Sequence, residues 1–386
     1  MSGTLQSKAH AAHAGSGAEN LTQLEFLALN SEFNIADGHA RQPLTPGQSK
    51  IVNDLPLLFE EGEKRPVEQL EREAHAAFFK ALGQHRYPSA PGRVLSCYSS
   101  SVAMEILSRA LASVTDSVAL VHPTFDNIAD LLRGNRLGLV PLEEDPLHAD
   151  DLPAELLESV GCVFVTTPNN PTGRVVSAER LRRLAGQCAR HGVILALDTS
   201  FRGFDTRAQY DHYEILDASG VRWVVIEDTG KLWPTLDLKV GMLVHSENLG
   251  LPVEKIYSDI LLGVSPLILG MVRRFSEDAA AGGLTELHEF IAVQRSVVRA
   301  GLADLSTTGV PDPDSRASVE RVLIRHLTGT EVWEALREHH VYALPCRAFY
   351  WADPARGDRT LRLALARASA PLAQCVRALR HVLTPR

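Results

Sequence analysis

Four short stretches of the chain carry side chains that could act together. Ser99-Ser100-Ser101 lies between an apolar run and a helix-length stretch containing Met104-Glu105-Ile106-Leu107. Hydroxyls at a helix N-terminus, beside free backbone N–H groups, suit a phosphate; an ordinary Ser N-cap is the competing reading. Thr167-Pro168-Asn169-Asn170-Pro171-Thr172-Gly173 is a Pro-punctuated turn with amide donors. Asp198 ends the apolar run Val193–Leu197, where a carboxylate needs a cation or several donors unless it merely caps a turn. Glu227-Asp228-Thr229-Gly230-Lys231 follows Trp223–Ile226, with Lys239 eight residues on. An amine in a semi-buried cleft can become a nucleophile or form a Schiff base, whereas an amine on a surface loop does neither.

The elements that must position these residues are short apolar runs separated by helix-length amphipathic stretches. The predicted strands are Val94–Cys97, Ser117–Val121, Gly138–Pro141, Cys162–Thr166, Val193–Asp198, Trp223–Glu227 and Val240–Val244. Uninterrupted apolar runs of this length fit strands covered on both faces. With helices between them they predict an α/β layer with a mostly parallel seven-stranded sheet, whose strand ends form the ligand site. A helical pattern is expected around Glu68–Leu82. After about residue 290 the alternation stops, which predicts a smaller α+β C-terminal domain over 291–386. The division expected is thus 1–50, 51–290 and 291–386. Residues 1–20 are small, polar and aperiodic and are expected to be disordered. Thr22-Gln23-Leu24-Glu25 reads as a capping box opening a helix to about Glu32.

The 386 residues include 47 acidic and 39 basic side chains, a net charge of −8, so a nucleic-acid or membrane-surface partner is not expected. Only 7 of the basic residues are Lys, which makes two of them around one strand end notable. Five cysteines without metal-ligand or disulfide spacing fit reduced thiols and a cytoplasmic location. Neither a signal peptide nor a membrane-spanning run is expected.

In order and spacing, Ser99–Ser101, Asn170-Pro171-Thr172-Gly173, Asp198, Lys231 and Lys239 resemble the fold type I pyridoxal-phosphate (PLP) enzymes, the aspartate aminotransferase-like superfamily. The resemblance implies that Lys231 forms the Schiff base, Asp198 pairs with the pyridine nitrogen and Asn170 donates to the phenolic oxygen. It also implies that Phe125 stacks on the ring, Ser99, Ser100, Ser101 and Lys239 hold the phosphate, and Arg362 takes a substrate carboxylate. A core aromatic and a surface arginine are the competing readings of the two last-named side chains that flank the ring and the substrate, Phe125 and Arg362.

Three departures narrow the match. Phe201 replaces a Tyr donor, Lys239 replaces an Arg, and Asp228 stands where a phosphate-binding hydroxyl is usual. A carboxylate there would repel phosphate, so it suggests a cationic substrate, and a guanidinium fits best. The alternative is that Asp228 turns away to cap a neighbouring backbone N–H. Together with the segment Asn34-Ile35-Ala36-Asp37-Gly38-His39-Ala40-Arg41-Gln42, these features resemble the PLP- and O₂-dependent L-arginine hydroxylase/oxidase group of enduracididine (antibiotic) biosynthesis. What that group implies is an N-terminal helix covering the site, Glu25 and Asp228 on the guanidinium, Thr22 supporting the helix, and His39 beside the cofactor as general base or water positioner. The implied reaction passes through quinonoid intermediates without metal or flavin, yielding 4-hydroxy-2-ketoarginine, with 2-ketoarginine as shunt product. An aminotransferase for arginine or another cationic amino acid, an oxidase or desaturase without hydroxylation, and a non-catalytic ligand sensor are the alternatives. A homodimer is implied by the same resemblance.

Overall fold

The computed structural model describes residues 20–149 and 151–385. The disorder expected for the N-terminus falls, up to residue 19, outside the described residues; Asn20 itself is ordered as a helix cap.

Seven strands form one sheet: β1 (Val94–Cys97), β2 (Ser117–His122), β3 (Gly138–Glu143), β4 (Cys162–Thr166), β5 (Ile194–Asp198), β6 (Trp223–Asp228) and β7 (Gly241–His245). Their spatial order is β1-β7-β6-β5-β4-β2-β3, with β7 antiparallel to both neighbours and the other pairs parallel. Because β7 reverses twice, β1 points the same way as β2, β4, β5 and β6. With β3, parallel to β2, six carboxyl ends therefore open on one edge. The apolar runs behave as their composition requires: Leu195 and Leu197 of β5 enter one hydrophobic cluster, while Ile194 and Ala196 enter the other. Successive side chains of a strand point to opposite faces, so a strand buried on both must be apolar throughout. The helix expected near Glu68–Leu82 runs over Val67–Ala81, with Leu70, Ala74, Phe78 and Phe79 on its buried side.

Most strand limits differ from the sequence reading by one or two residues, and one difference matters. Strand β6 continues to Asp228, which pairs with Gly241, so Asp228 sits on the ladder and not in the loop after it. Gly241 is needed there, because a Cβ would come within 2.3 Å of the Ser100 nitrogen.

A second, antiparallel sheet has the order β10-β11-β9-β8, from β8 (Thr308–Gly309), β9 (Val319–Ile324), β10 (Leu344–Pro345) and β11 (Thr360–Ala364). The helix Leu284–Leu302 leads into it, so residue 290 lies inside a continuous helix.

The N-terminal helix is shorter and starts earlier than its sequence pattern suggests. It spans Leu21–Ala28, and its cap is Asn20 in a capping box with Gln23, not Thr22 with Glu25. Thr22 therefore caps nothing, and Glu25 is released from the first turn. Two choices could satisfy the local pattern; docking decides between them. The buried Asp126 accepts the free N–H of Leu21 at 2.8 Å, and Leu21, Leu24 and Ala28 pack against Phe349, Leu344 and Trp333. The helix ends at Ala28, short of Glu32, and Ser31 donates to the carbonyl of His340, turning the chain toward the small sheet.

Candidate active site

From that turn, residues 34–42 run as a strap between the two sheets. On one side Ile35 exchanges backbone hydrogen bonds with Tyr342 and Ala364, and Arg41 donates to Ala366. On the other, Ala40 donates to the carbonyl of Gly230, and the Gln42 amide donates to that of Leu232. The buried Arg367 guanidinium donates to the carbonyls of Asn34, Asp37 and His39. Burial, opposed by the Asp37 charge, pulls Arg367 down to about 10.

Strap, N-terminal helix and strand ends enclose a cavity of about 240 Å³, smaller than most drug-sized pockets of roughly 300 Å³ and above. Every side chain singled out in the sequence lines it: Thr22, Glu25 and His39 from the N-terminal segment; Ser99, Ser100, Ser101 and Phe125 after β1 and β2; Asn170, Asp198, Asp228, Lys231 and Lys239 from β4 to β7; and Arg362 from β11. Phe201 lies in the wall as well. Thr22 is exposed at the rim.

Asp198 is buried, and its Oδ1 accepts both the Ser200 N–H at 3.0 Å and the Ser200 hydroxyl at 2.6 Å. Burial pushes its carboxyl up to about 6; the Ser200 hydrogen bonds oppose this, the Asp228 charge adds to it, and Lys231 opposes it. Such a carboxylate lacks a full counter-charge. Behind it, buried Glu227 accepts from Thr199 and Tyr213 and faces the Arg202 guanidinium, tying the ends of β5 and β6 together.

Asp228 caps a neighbouring backbone N–H without leaving the cavity. Its Oδ1 accepts the Gly230 N–H at 2.7 Å, as a capping side chain does, yet it also lines the cavity, and Oδ2 accepts the Ser100 hydroxyl at 2.7 Å. Burial raises its carboxyl, but the charges of Lys231, His39 and Lys239 outweigh that and hold it below its ordinary value. Ser99 caps the helix Ser100–Leu111 by accepting from Val102, and Ser101 accepts from the Asn127 amide. The N-cap reading of Ser99 is thus correct without removing it from the cavity.

Lys231 and Lys239 both point at one atom, His39 Nε2, at 3.4 and 2.8 Å. Glu25 and Arg362 are paired with each other at 3.0 Å across the cavity. Arg362 is fully buried, and its Nε and Nη1 have no partner, so donors for an anion stand ready. The Oδ1 of Asn170 is also buried without a partner. Phe125 meets Phe349 edge-on at 5.7 Å, which leaves a face for a ring.

Three residues that shape the site went unread in the sequence. Asp126 holds the N-terminal helix, and burial pushes its carboxyl up to about 7 against the Leu21 hydrogen bond. Arg367 holds the strap, and Asp37 holds His39 at 2.6 Å. Only the last had a local signal, the Asp-x-His spacing.

A cofactor with a phosphate, a basic ring nitrogen and an aldehyde fits these residues. The uncompensated Asp198 and the Ser/Lys239 cradle each find a complement in pyridoxal phosphate. The raised Asp198 carboxyl gives a pH signature with a definite sign. Above about pH 6 Asp198 is ionised and can pair with a protonated ring nitrogen; below it, the proton it gains must be lost on binding. Cofactor affinity of the apo-protein is therefore expected to fall about tenfold per unit as pH drops below about 6. Absorbance titration with PLP between about pH 5 and 8 measures it; flat affinity would mean Asp198 does not meet the ring nitrogen.

Residues 66–382 match the family model described as aminotransferase class I and II. Among curated relatives, the LL-diaminopimelate aminotransferase of Nitratidesulfovibrio vulgaris is 29% identical over 160 residues, 39% of this chain and 40% of that enzyme, so the match spans less than half of its length. The threonine-phosphate decarboxylase of a Sinorhizobium species is 27% identical over 276 residues, 68% of this chain and 74% of that one. Among solved structures, MppP soaked with the product 2-ketoarginine superposes with a TM-score of 0.90 at 69% identity, over 91% of this chain and 99% of that chain. N-succinyldiaminopimelate aminotransferase from Mycobacterium tuberculosis gives 0.78 at 20% identity, over 95% and 97%, a likeness of fold alone.

Proposed function

Since the chain belongs to the class I and II aminotransferase family, with 66–382 matched, we propose that it is a PLP-dependent oxidase and hydroxylase of L-arginine. The observation that carries this reading is the 69% identity to MppP, a protein solved with its product 2-ketoarginine. The lining of the cavity supports it, with acids and an arginine suited to the two ends of an arginine molecule.

Bound PLP supplies an electron sink for the substrate Cα–H bond. Asp198, Asn170, Phe125, Ser99, Ser100, Ser101 and Lys239 hold it, and Lys231 attaches it. Arginine brings both partners that Glu25 and Arg362 find in each other: its carboxylate goes to Arg362 and its guanidinium to Glu25 and Asp228. Lys231, once displaced, takes the Cα proton. His39 accepts protons and orients water. Thr22 lies at the rim, on the N-terminal helix, which excludes bulk water. Oxidation to 2-ketoarginine consumes dioxygen and water and releases ammonia and hydrogen peroxide. A second two-electron oxidation by O₂, with addition of a second water, gives 4-hydroxy-2-ketoarginine and a second peroxide.

The family membership favours one competing reading, transamination of arginine. Purified protein given arginine in air, without any keto acid, is expected to consume O₂ and release ammonia and the two keto acids, seen by electrode and mass spectrometry. No O₂ uptake, together with amino transfer to pyruvate, would leave the aminotransferase. A second copy of this chain completes the molecule in this reading; it covers exposed apolar side chains such as Phe26, Leu57, Phe59 and Leu262. Among the described residues no helix is long and apolar enough to cross a membrane, and the five cysteines are free. A reduced cytoplasmic setting accords with the free thiols.

A further inference from the structure

Asp37 is buried to 1% exposure in the strap and makes three contacts with its two neighbours. Its Oδ1 accepts the His39 backbone N–H at 2.9 Å and lies 2.6 Å from His39 Nδ1; its Oδ2 accepts Arg41 Nε at 2.7 Å. Its own backbone is held as firmly: Asn34 Oδ1 accepts the N–H groups of Ala36 and Asp37, and Arg367 takes the carbonyls on either side of the turn. Burial raises the Asp37 carboxyl, but the His39 hydrogen bond and charge and the Arg367 charge prevail, holding it well below the carboxylate range.

An ionised carboxylate only accepts hydrogen bonds, so the imidazole must present N–H at Nδ1. The opposite nitrogen faces two amines, Lys239 at 2.8 Å and Lys231 at 3.4 Å, both of which donate when protonated. Nε2 can meet either of them only as an acceptor, through its one lone pair.

We infer that Asp37 is a positioning residue that locks His39 in the Nδ1–H tautomer, so that Nε2 receives the proton Lys231 takes from the substrate. The inference rests on the reading of Lys231 as the proton acceptor at Cα. In the transfer an N–H bond breaks at Lys231 Nζ and forms at His39 Nε2. The resulting imidazolium then lies against the Asp37 carboxylate, and Lys231 is again a neutral amine.

Asp37→Asn separates this role from simple support of the strap. An amide with its oxygen toward His39 would turn its NH₂ toward Arg41, two donors face to face. With its oxygen toward Arg41, its NH₂ faces both Nδ1 and the His39 backbone N–H, and the backbone donor cannot adapt. The partly exposed Arg41 can turn to solvent, so the first orientation wins, and the variant keeps the Nδ1–H tautomer but loses the negative charge beside the imidazolium.

The first measurement needs no variant. In ¹⁵N-histidine-labelled holoenzyme, long-range ¹H–¹⁵N correlation, with His39→Gln identifying the signal, is expected to show the Nδ1–H tautomer at His39. In Asp37→Asn the Nδ1–H signal is expected to persist, with kcat for arginine reduced about 100-fold and KM little changed, because the imidazolium loses its counter-charge. In the double variant Asp37→Asn/His39→Gln, no loss beyond that of His39→Gln alone is expected. An Nε2–H tautomer in the parent enzyme, or losses that simply add in the double variant, would overturn the inference. The tautomer is read without turnover, so it stands or falls apart from the identity of the substrate. Conversely, an Nε2–H signal in a protein that does oxidise arginine removes Asp37's role and leaves the proposed function intact.

Discussion

Lys231→Ala is expected to lower arginine turnover by about four orders of magnitude or more, because one side chain both attaches the cofactor and takes the Cα proton. Lys239 does not substitute for it. Its amine is held 2.8 Å from His39 and 3.3 Å from Asp237, on the strand side of the cradle. Two readouts accompany the rate. The visible absorption of covalently held cofactor should vanish while noncovalent PLP is retained by the Ser99–Ser101 cradle and Asp198, and borohydride should no longer fix cofactor mass to the peptide containing residue 231. A parent-like absorption band that survives the substitution would remove Lys231 from the attachment role.

Asp228→Ser, which restores the residue type usual at that position, should cost arginine far more than a neutral isostere. Losing a buried carboxylate–guanidinium pair is worth roughly 2–4 kcal/mol, about 30- to 1000-fold in kcat/KM. Citrulline has the same shape without the charge, and its kcat/KM should change by less than about tenfold. The comparison is sharpened by what Asp228 touches. Its oxygens already accept from Gly230 N–H and the Ser100 hydroxyl, so a role in shaping the phosphate cradle would weaken both substrates equally. Equal losses would therefore assign Asp228 to the cradle and leave Glu25 as the acid that meets the guanidinium.

The residues that gather at the strand ends were legible because each follows directly on a strand that announces itself. Asp198, Asn170 and Lys231 lie at or just after β5, β4 and β6, whose runs are too apolar to be anything but doubly covered. Parallel strands then bring their ends together without further instruction from the sequence. Asp228 was misplaced by a single residue, from loop to ladder, since nothing local distinguishes the last strand residue from the first loop residue.

The N-terminal segment was legible in composition but not in geometry. Asn20 with Gln23 and Thr22 with Glu25 are both competent capping boxes, and local energies separate them little. The choice falls to Asp126, more than a hundred residues away, which takes the Leu21 N–H and buries Leu21 and Leu24 against the small sheet. That two-residue shift frees the Glu25 carboxylate from capping and turns it to Arg362.

The sequence alone thus determined the doubly covered sheet and the order of chemistry along its edge, because buried strands and their ends are local properties of a chain. Tertiary structure decided which way the acids face. Asp37 on His39, Arg367 on the strap, Asp126 on the N-terminal helix and Glu25 on Arg362 are contacts of desolvated charges. A buried charge takes whatever partner the fold brings within about 3 Å, and most of those partners lie hundreds of residues away in sequence.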